Sequence, residues 1–472
     1  MKSRILFFVI TLGVIASACY RDLGNYDYHP PEEPVVNNLK GETFIAYVGD
    51  SLIISPEIKH SLVGTNKLTY QWEIVVGTEL RGDYFYGSSL RMLFAYRPAK
   101  YAARFTITDE TNGMKYFYDF TIDGRTDFSD GAMVLSNQDG ASILTFIKPE
   151  GDFKTNLYEI INHEPLPSNP LQLELVTYPQ PGFDAYWILT GETDNPGVII
   201  NPDDLTRSAY VKDKFFVPPT QLHAEHIEGN SVGITAGVYS DKLYIGNGAT
   251  APFHSTFGSF GNPISGDYIL SPFFAYHFED YGNQYIVAYE KKKKQFITFS
   301  MSPSYSNVSD YSVVRNGTGF DPYYVNMEMV NMMLLNDGTT YAFMKDTTGQ
   351  IYEFKFHNDV DNFYTDYVRK FVGNYWVNEH TLWQGSSSQI IYFTSNDKIY
   401  KYNPISQEIR QLGVNLNGNT ITMIYLDESQ NELIAGIEGA LYYLDISADG
   451  NGGVKEIVSG IPGSPVDIVI RK

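Results

Sequence analysis

Residues 390–394 form an apolar run, Ser395-Asn396-Asp397 a polar turn, and residues 398–402 a second apolar run with alternating faces. This is the pattern of a β-hairpin. The unit recurs. Asp241-Lys242-Leu243-Tyr244, Gly349-Gln350-Ile351-Tyr352, Asp397-Lys398-Ile399-Tyr400 and Gly439-Ala440-Leu441-Tyr442 each follow an apolar strand and a short turn. The last three are spaced at roughly 40–50 residues, a period typical of propeller blades. Residues 126–472 therefore predict a C-terminal β-propeller of about seven or eight blades, closed by pairing the run 466–470 with the run near Met133. A row of unrelated sandwiches is the competing architecture. No helix longer than a turn or two is expected.

The chain's 472 residues exceed one ordinary core, so more than one domain is expected. Aromatics make up 15% of the chain, a bias that suits pleated sheets. The net charge of −21 repels a phosphate backbone and argues against nucleic acid as a partner. A single cysteine, Cys19, excludes an intrachain disulfide.

That cysteine stands at an informative place. Lys2 and Arg4 precede an apolar stretch of about 11 residues, too short to span a bilayer, and Ala16-Ser17-Ala18 leads into Cys19. Residues 1–18 read as a signal peptide and 19–34 as a proline-bearing tether without apolar periodicity. Small residues directly before Cys resemble a bacterial lipobox, with Ala16 where Leu is commonest. The resemblance implies lipidation at Cys19. An ordinary signal peptide with an incidental Cys is the alternative.

Residues 35–125 carry short strand-like runs about ten residues apart, the rhythm of a β-sandwich. In Tyr70-Gln71-Trp72-Glu73, Tyr70 and Trp72 share one face, expected to point inward. Asn112-Gly113 marks a hairpin turn. The overall expectation is an all-β chain, an N-terminal Ig/PKD-like β-sandwich followed by the propeller.

Candidate chemistry is sparse. Gly229-Asn230-Ser231-Val232-Gly233 fits G-x-S-x-G, but a strand pattern follows it where a nucleophile elbow needs a helix. His223-Ala224-Glu225-His226 lacks the spacing of a helical zinc motif. Asn358-Asp359-Val360-Asp361-Asn362 lacks the Gly and distal Glu of a calcium loop. No cofactor or metal is called for. Lys291-Lys292-Lys293-Lys294 reads as a solvated hairpin tip. Two aromatic stretches stand out: residues 252–261, with Phe253, His254, Phe257 and Phe260, and residues 374–383, with Trp376 and Trp383. Such rings serve either as ligand-stacking platforms or as packing between blades.

The lipobox, the Cys19-Tyr20-Arg21-Asp22 start, the Tyr70-Gln71-Trp72 strand and the Thr108-Asp109 turn together resemble the PKD-like family lipoproteins of Bacteroidetes. That resemblance implies a lipid-anchored outer-membrane protein facing the exterior. It implies partnership with a SusCD-type TonB-dependent importer and other surface lipoproteins, and capture of nutrient ligands, oligopeptides ahead of glycans. In that reading the chain is not an enzyme. A propeller-based hydrolase or lyase acting on a surface polysaccharide or peptide is the alternative.

Overall fold

The computed structural model describes residues 31–471 apart from 66, 78–80, 181, 279–283, 303–306, 314–317, 336 and 359–361. The signal peptide, Cys19 and most of the tether lie outside the described residues, as does the centre of the 358–362 acidic turn.

The N-terminal unit is built on a five-stranded sheet. Its order is Thr43–Tyr47, Met114–Arg125, Lys100–Asp109, Leu68–Val76 and Arg81–Tyr86. The first pair is parallel and the others antiparallel. Two small ladders accompany it, Ser51–Ile54 with Leu90–Leu93 and Val35–Asn37 with Glu57–Lys59. Alternation along Leu68–Val76 sends Trp72, Ile74 and Val76 inward, where they are buried with Phe105, Phe120, Leu52 and Leu90. Trp72 stacks on Phe105 at 4.1 Å, and its indole N–H donates to Gly87 O at 2.8 Å. The Asn112-Gly113 turn is present, with Gly113 at φ +76° and Asp109 accepting from Thr111 N–H at 2.8 Å.

From Gly131 onward the described residues form seven small antiparallel sheets. The first pairs Phe153–Lys154, Ala141–Ile147, Gly131–Gln138 and the C-terminal strand Ser464–Arg471, in that order. The second runs from Pro170–Val176 to Arg207–Tyr210, and the third from Ala224–Gly229 to Lys242–Ile245. The fourth runs from Leu270–Phe278 to Asn307–Val313, and the fifth from Glu328–Leu334 to Phe363–Lys370. The sixth runs from Trp383–Gly385 to Glu408–Gln411, and the seventh from Ile421–Leu426 to Gly453–Ser459. The final strand pairs with 131–138 as its alternation suggests, Met133 opposite Val469.

The expected propeller of seven or eight blades is corrected by this topology. The region is a series of separate small sheets, and none of them is closed into a barrel, a solenoid or a propeller. The physical reason is local. A recurring hairpin reports pairing between strands adjacent in sequence, and in six of the seven sheets every ladder joins strands adjacent in sequence. Side chains bridge the sheets instead. Gln172 of the second sheet both donates to Ile227 O (2.8 Å) and accepts from Ile227 N–H (3.0 Å) of the third. Tyr285 of the fourth donates to Asn358 O of the fifth at 2.7 Å. Gln430 of the seventh accepts from Ser387 N–H beside the sixth at 3.0 Å. Such bonds satisfy edge groups that would otherwise lie unpaired. The α-helix among the described residues, Leu157–Asn162, follows the first sheet.

Candidate functional site

The strand directions give this region two ends. The C-terminal strand finishes at Arg471, which donates to Phe128 O at 3.2 Å and to Pro202 O at 2.7 Å and pairs with Asp203 at 3.1 Å. Phe128 belongs to the short link from the N-terminal unit, so this is the proximal end. The connectors between sheets lie at the other end, each bonded to a second turn of a neighbouring sheet. Asn169 N–H donates to Gly140 O at 2.7 Å, Asn326 N–H to Lys294 O at 3.1 Å, and Ile421 N–H to Asn396 O at 3.0 Å.

The sequence-selected aromatics divide between these ends. Phe253 is 82% exposed and His254 is exposed beside it, on the loop after Lys242–Ile245. His254 Nδ1 lies 2.8 Å from Thr256 Oγ1. Phe257 meets Tyr178 edge to face at 5.8 Å, on the proximal side. Phe260 is fully buried against Phe215, at 4.8 Å, so its ring serves packing. Trp383 stacks on Phe343 at 4.2 Å and on Phe393 at 5.2 Å, and Trp376 covers Tyr400 at 5.0 Å. Both tryptophans join the core between the fifth and sixth sheets. The six residues therefore do not converge on one site.

Tyr375, between Asn374 and Trp376, is the ring that the connector presents, 91% exposed. Its base is fixed from both sides: Asn374 Oδ1 accepts Ile351 N–H at 2.6 Å, and Trp376 is docked on Tyr400. Tyr324, 67% exposed, and Phe216, 58% exposed, stand on two further sheet connectors. At the same end a cleft of about 470 Å³ is lined by Asn137, Asp139, Thr422, Glu438, Ser464 and Val466. Sequence reading named Trp376 and Trp383 in this stretch and not Tyr375. The local signal for Tyr375 is the turn at Gly373-Asn374, which leaves one of the two adjacent rings outward.

An acidic junction that sequence reading missed lies where the first, second and third sheets adjoin. Glu174 Oε1 accepts Gly229 N–H at 3.2 Å, and Asp467 accepts Leu173 N–H and Ile468 N–H, each at 2.9 Å. Both residues are half-buried, with their carboxyl groups set against these backbone N–H groups. Burial pushes Glu174 up to about 7 and Asp467 up to about 6. Chemically the junction can hold and exchange a proton.

The remaining motifs have structural uses. The segment after Ser231 enters the strand Thr235–Tyr239 and no helix, so no nucleophile elbow forms. Glu225 accepts Asp241 N–H at 2.7 Å, while His226 pairs with Glu228 at 3.5 Å. Among the described residues no group of three or more His, Cys, Asp or Glu is placed to hold a metal ion. In the lysine turn, Lys291 pairs with Asp241, Lys293 with Asp267 at 3.1 Å and Lys294 with Glu328 at 3.8 Å. Met332 is buried and Met327 and Met329 pack on the same core.

Residues 19–170 match the model of the PKD-like family, and a PKD-like β-sandwich domain is present in that range. No curated protein matches the chain. Among solved structures the chain is similar to a quinonprotein alcohol dehydrogenase-like protein from Bacteroides thetaiotaomicron. The identity there is 14% and the TM-score 0.46, covering 94% of this chain and 100% of that one. A protein from Lactobacillus plantarum matches at 10% identity and TM-score 0.48, covering 73% and 100%. A functionally unknown protein from Desulfotomaculum acetoxidans matches at 12% identity and TM-score 0.43, covering 72% and 99%.

Proposed function

We propose that this chain is a surface-displayed binding protein, anchored through Cys19, that captures nutrient ligands for a SusCD-type importer. Oligopeptides are the favoured cargo and glycans the second. The anchor, the outer-membrane location and the importer rest on the lipobox-like N-terminus and the resemblance of the chain to PKD-like lipoproteins. The observation that carries the binding reading is the exposed aromatic pair, Tyr324 and Tyr375, on sheet connectors at the end opposite the N-terminal unit. In this arrangement the PKD-like domain acts as a stalk and the sheet connectors face outward. Exposed rings on a fixed base stack on sugar faces or peptide side chains with little ordering cost.

The hydrolase or lyase reading has one feature in its favour, the acidic junction with its raised carboxyls. Against it, Glu174 and Asp467 already accept backbone N–H groups from neighbouring strands, which gives both a structural task. The discriminating experiment is calorimetric titration of the mature chain with peptide and glycan pools, alongside product analysis of the same mixtures. Binding without product formation supports capture. Turnover that is lost in Glu174→Gln supports the enzyme.

A further inference from the structure

Asp467 fastens the C-terminal strand to the second sheet across 294 residues of sequence, through Leu173 N–H. The next residue on that sheet, Glu174, reaches the third sheet through Gly229 N–H. Two carboxylates thus each accept a backbone N–H across a sheet boundary, where the first, second and third sheets join. From the third sheet the charge of Glu228 acts on Glu174 and that of His226 on both acids, and from the seventh Tyr425 lies within the field of Asp467. Gln172 lies on the same strand as Glu174 and is occupied by the Ile227 backbone. Arg471, on the same strand as Asp467, is held elsewhere by Asp203 and two carbonyls. His226 is the basic group acting on both acids, and Glu228 competes for it at 3.5 Å. Two like charges in so enclosed a place do not both ionise readily. Asp467 receives two N–H donors and Glu174 one, so the first proton goes to Glu174.

We propose that this junction is a proton-sensitive latch on the C-terminal strand. With Glu174 protonated, the strand is held firmly between the first and second sheets. Loss of that proton leaves a charged carboxylate in a desolvated place, with Asp467 nearby, and loosens it. The sign follows from the raised values. The folded state holds more protons than the unfolded chain between the ordinary carboxyl values of 3.8–4.5 and about 7, so the latch weakens as pH rises through that window.

Hydrogen exchange with mass spectrometry on the mature chain, corrected for intrinsic rates, tests this near pH 5.5 and 8. The peptides to follow are 170–176 and 464–471, with 114–125 as internal reference. Protection of the first two relative to the reference should fall about tenfold from low to high pH, the change expected for about one unit of proton linkage. In Glu174→Gln, which keeps an acceptor for Gly229 N–H and carries no charge, the fall should shrink to under about threefold. Asp467→Asn removes only the neighbouring charge, which raises Glu174 less than burial does, so most of the fall should remain. Equal protection at both pH values in the wild type overturns the latch, as does an undiminished fall in Glu174→Gln.

Discussion

Replacing Arg369 by Met should destabilise the boundary between the fifth and sixth sheets by stranding a buried charge. Glu353 is fully buried. Its carboxylate accepts from Tyr367 Oη at 2.6 Å, from Arg369 Nη2 at 2.8 Å and from the Tyr402 hydroxyl of the sixth sheet. Arg369 also donates to Pro404 O across the same boundary. Removing one partner of a buried pair leaves an uncompensated charge and costs about 3–5 kcal/mol. The two tyrosine donors remain and Arg369 is partly exposed, so the expected loss is at the lower end, about 3 kcal/mol. For a chain this long that lowers the melting temperature by several degrees, on the order of 5 °C. Arg369→Met/Glu353→Gln removes the charge along with its partner and should recover about 1–2 kcal/mol of the loss. Calorimetric melts of the wild type, both single variants and the double variant measure this directly. A double variant equal to the sum of the singles, or an Arg369→Met as stable as the wild type, would refute the claim that side-chain networks hold adjoining sheets together.

Further expectations follow from the same contacts. Trp72→Ala should cost about 3–5 kcal/mol in the N-terminal unit, since it empties the site against Phe105 and leaves Gly87 O unpaired. Its effect should be confined to that unit's melting transition. Gly197→Ala should severely impair folding, because φ is +146° there and a Cβ would stand 2.0 Å from Ile188 O; soluble yield reads this out. Trp383→Ala should lower stability by about 3 kcal/mol, whereas Tyr375→Ala should leave the melting temperature within about 1 °C. Cys19→Ser should move the protein out of the membrane fraction and abolish metabolic labelling with fatty acid.

The strands were largely legible, because alternation and turn residues are local. The hairpin Ile391–Ser395 with Lys398–Asn403 and the Asn112-Gly113 turn are examples. The pairing of the run near Met133 with the run 466–470 was legible too, since both are apolar strands at the two ends of the region and the first has one edge left open after its hairpin with Ala141–Ile147. The propeller was not there to be read from hairpin spacing. A period of roughly 40–50 residues reports how long each meander is, and says nothing of what its free edges meet. Aromatic content misled for a related reason. Phe260 and Trp383 look like exposed platforms only until the neighbouring sheet supplies Phe215 or Phe343. The Glu174–Asp467 junction left no local trace, because its two acids come together only in the folded chain.

The measurement closest to the heart of the account is calorimetric titration of the mature protein with defined oligopeptide and glycan pools, beside Tyr324→Ala/Tyr375→Ala. Binding on the order of micromolar, weakened about tenfold or more in the variant while its melting temperature holds, is the predicted result. No heat with any pool, or full affinity retained by the variant, would contradict it.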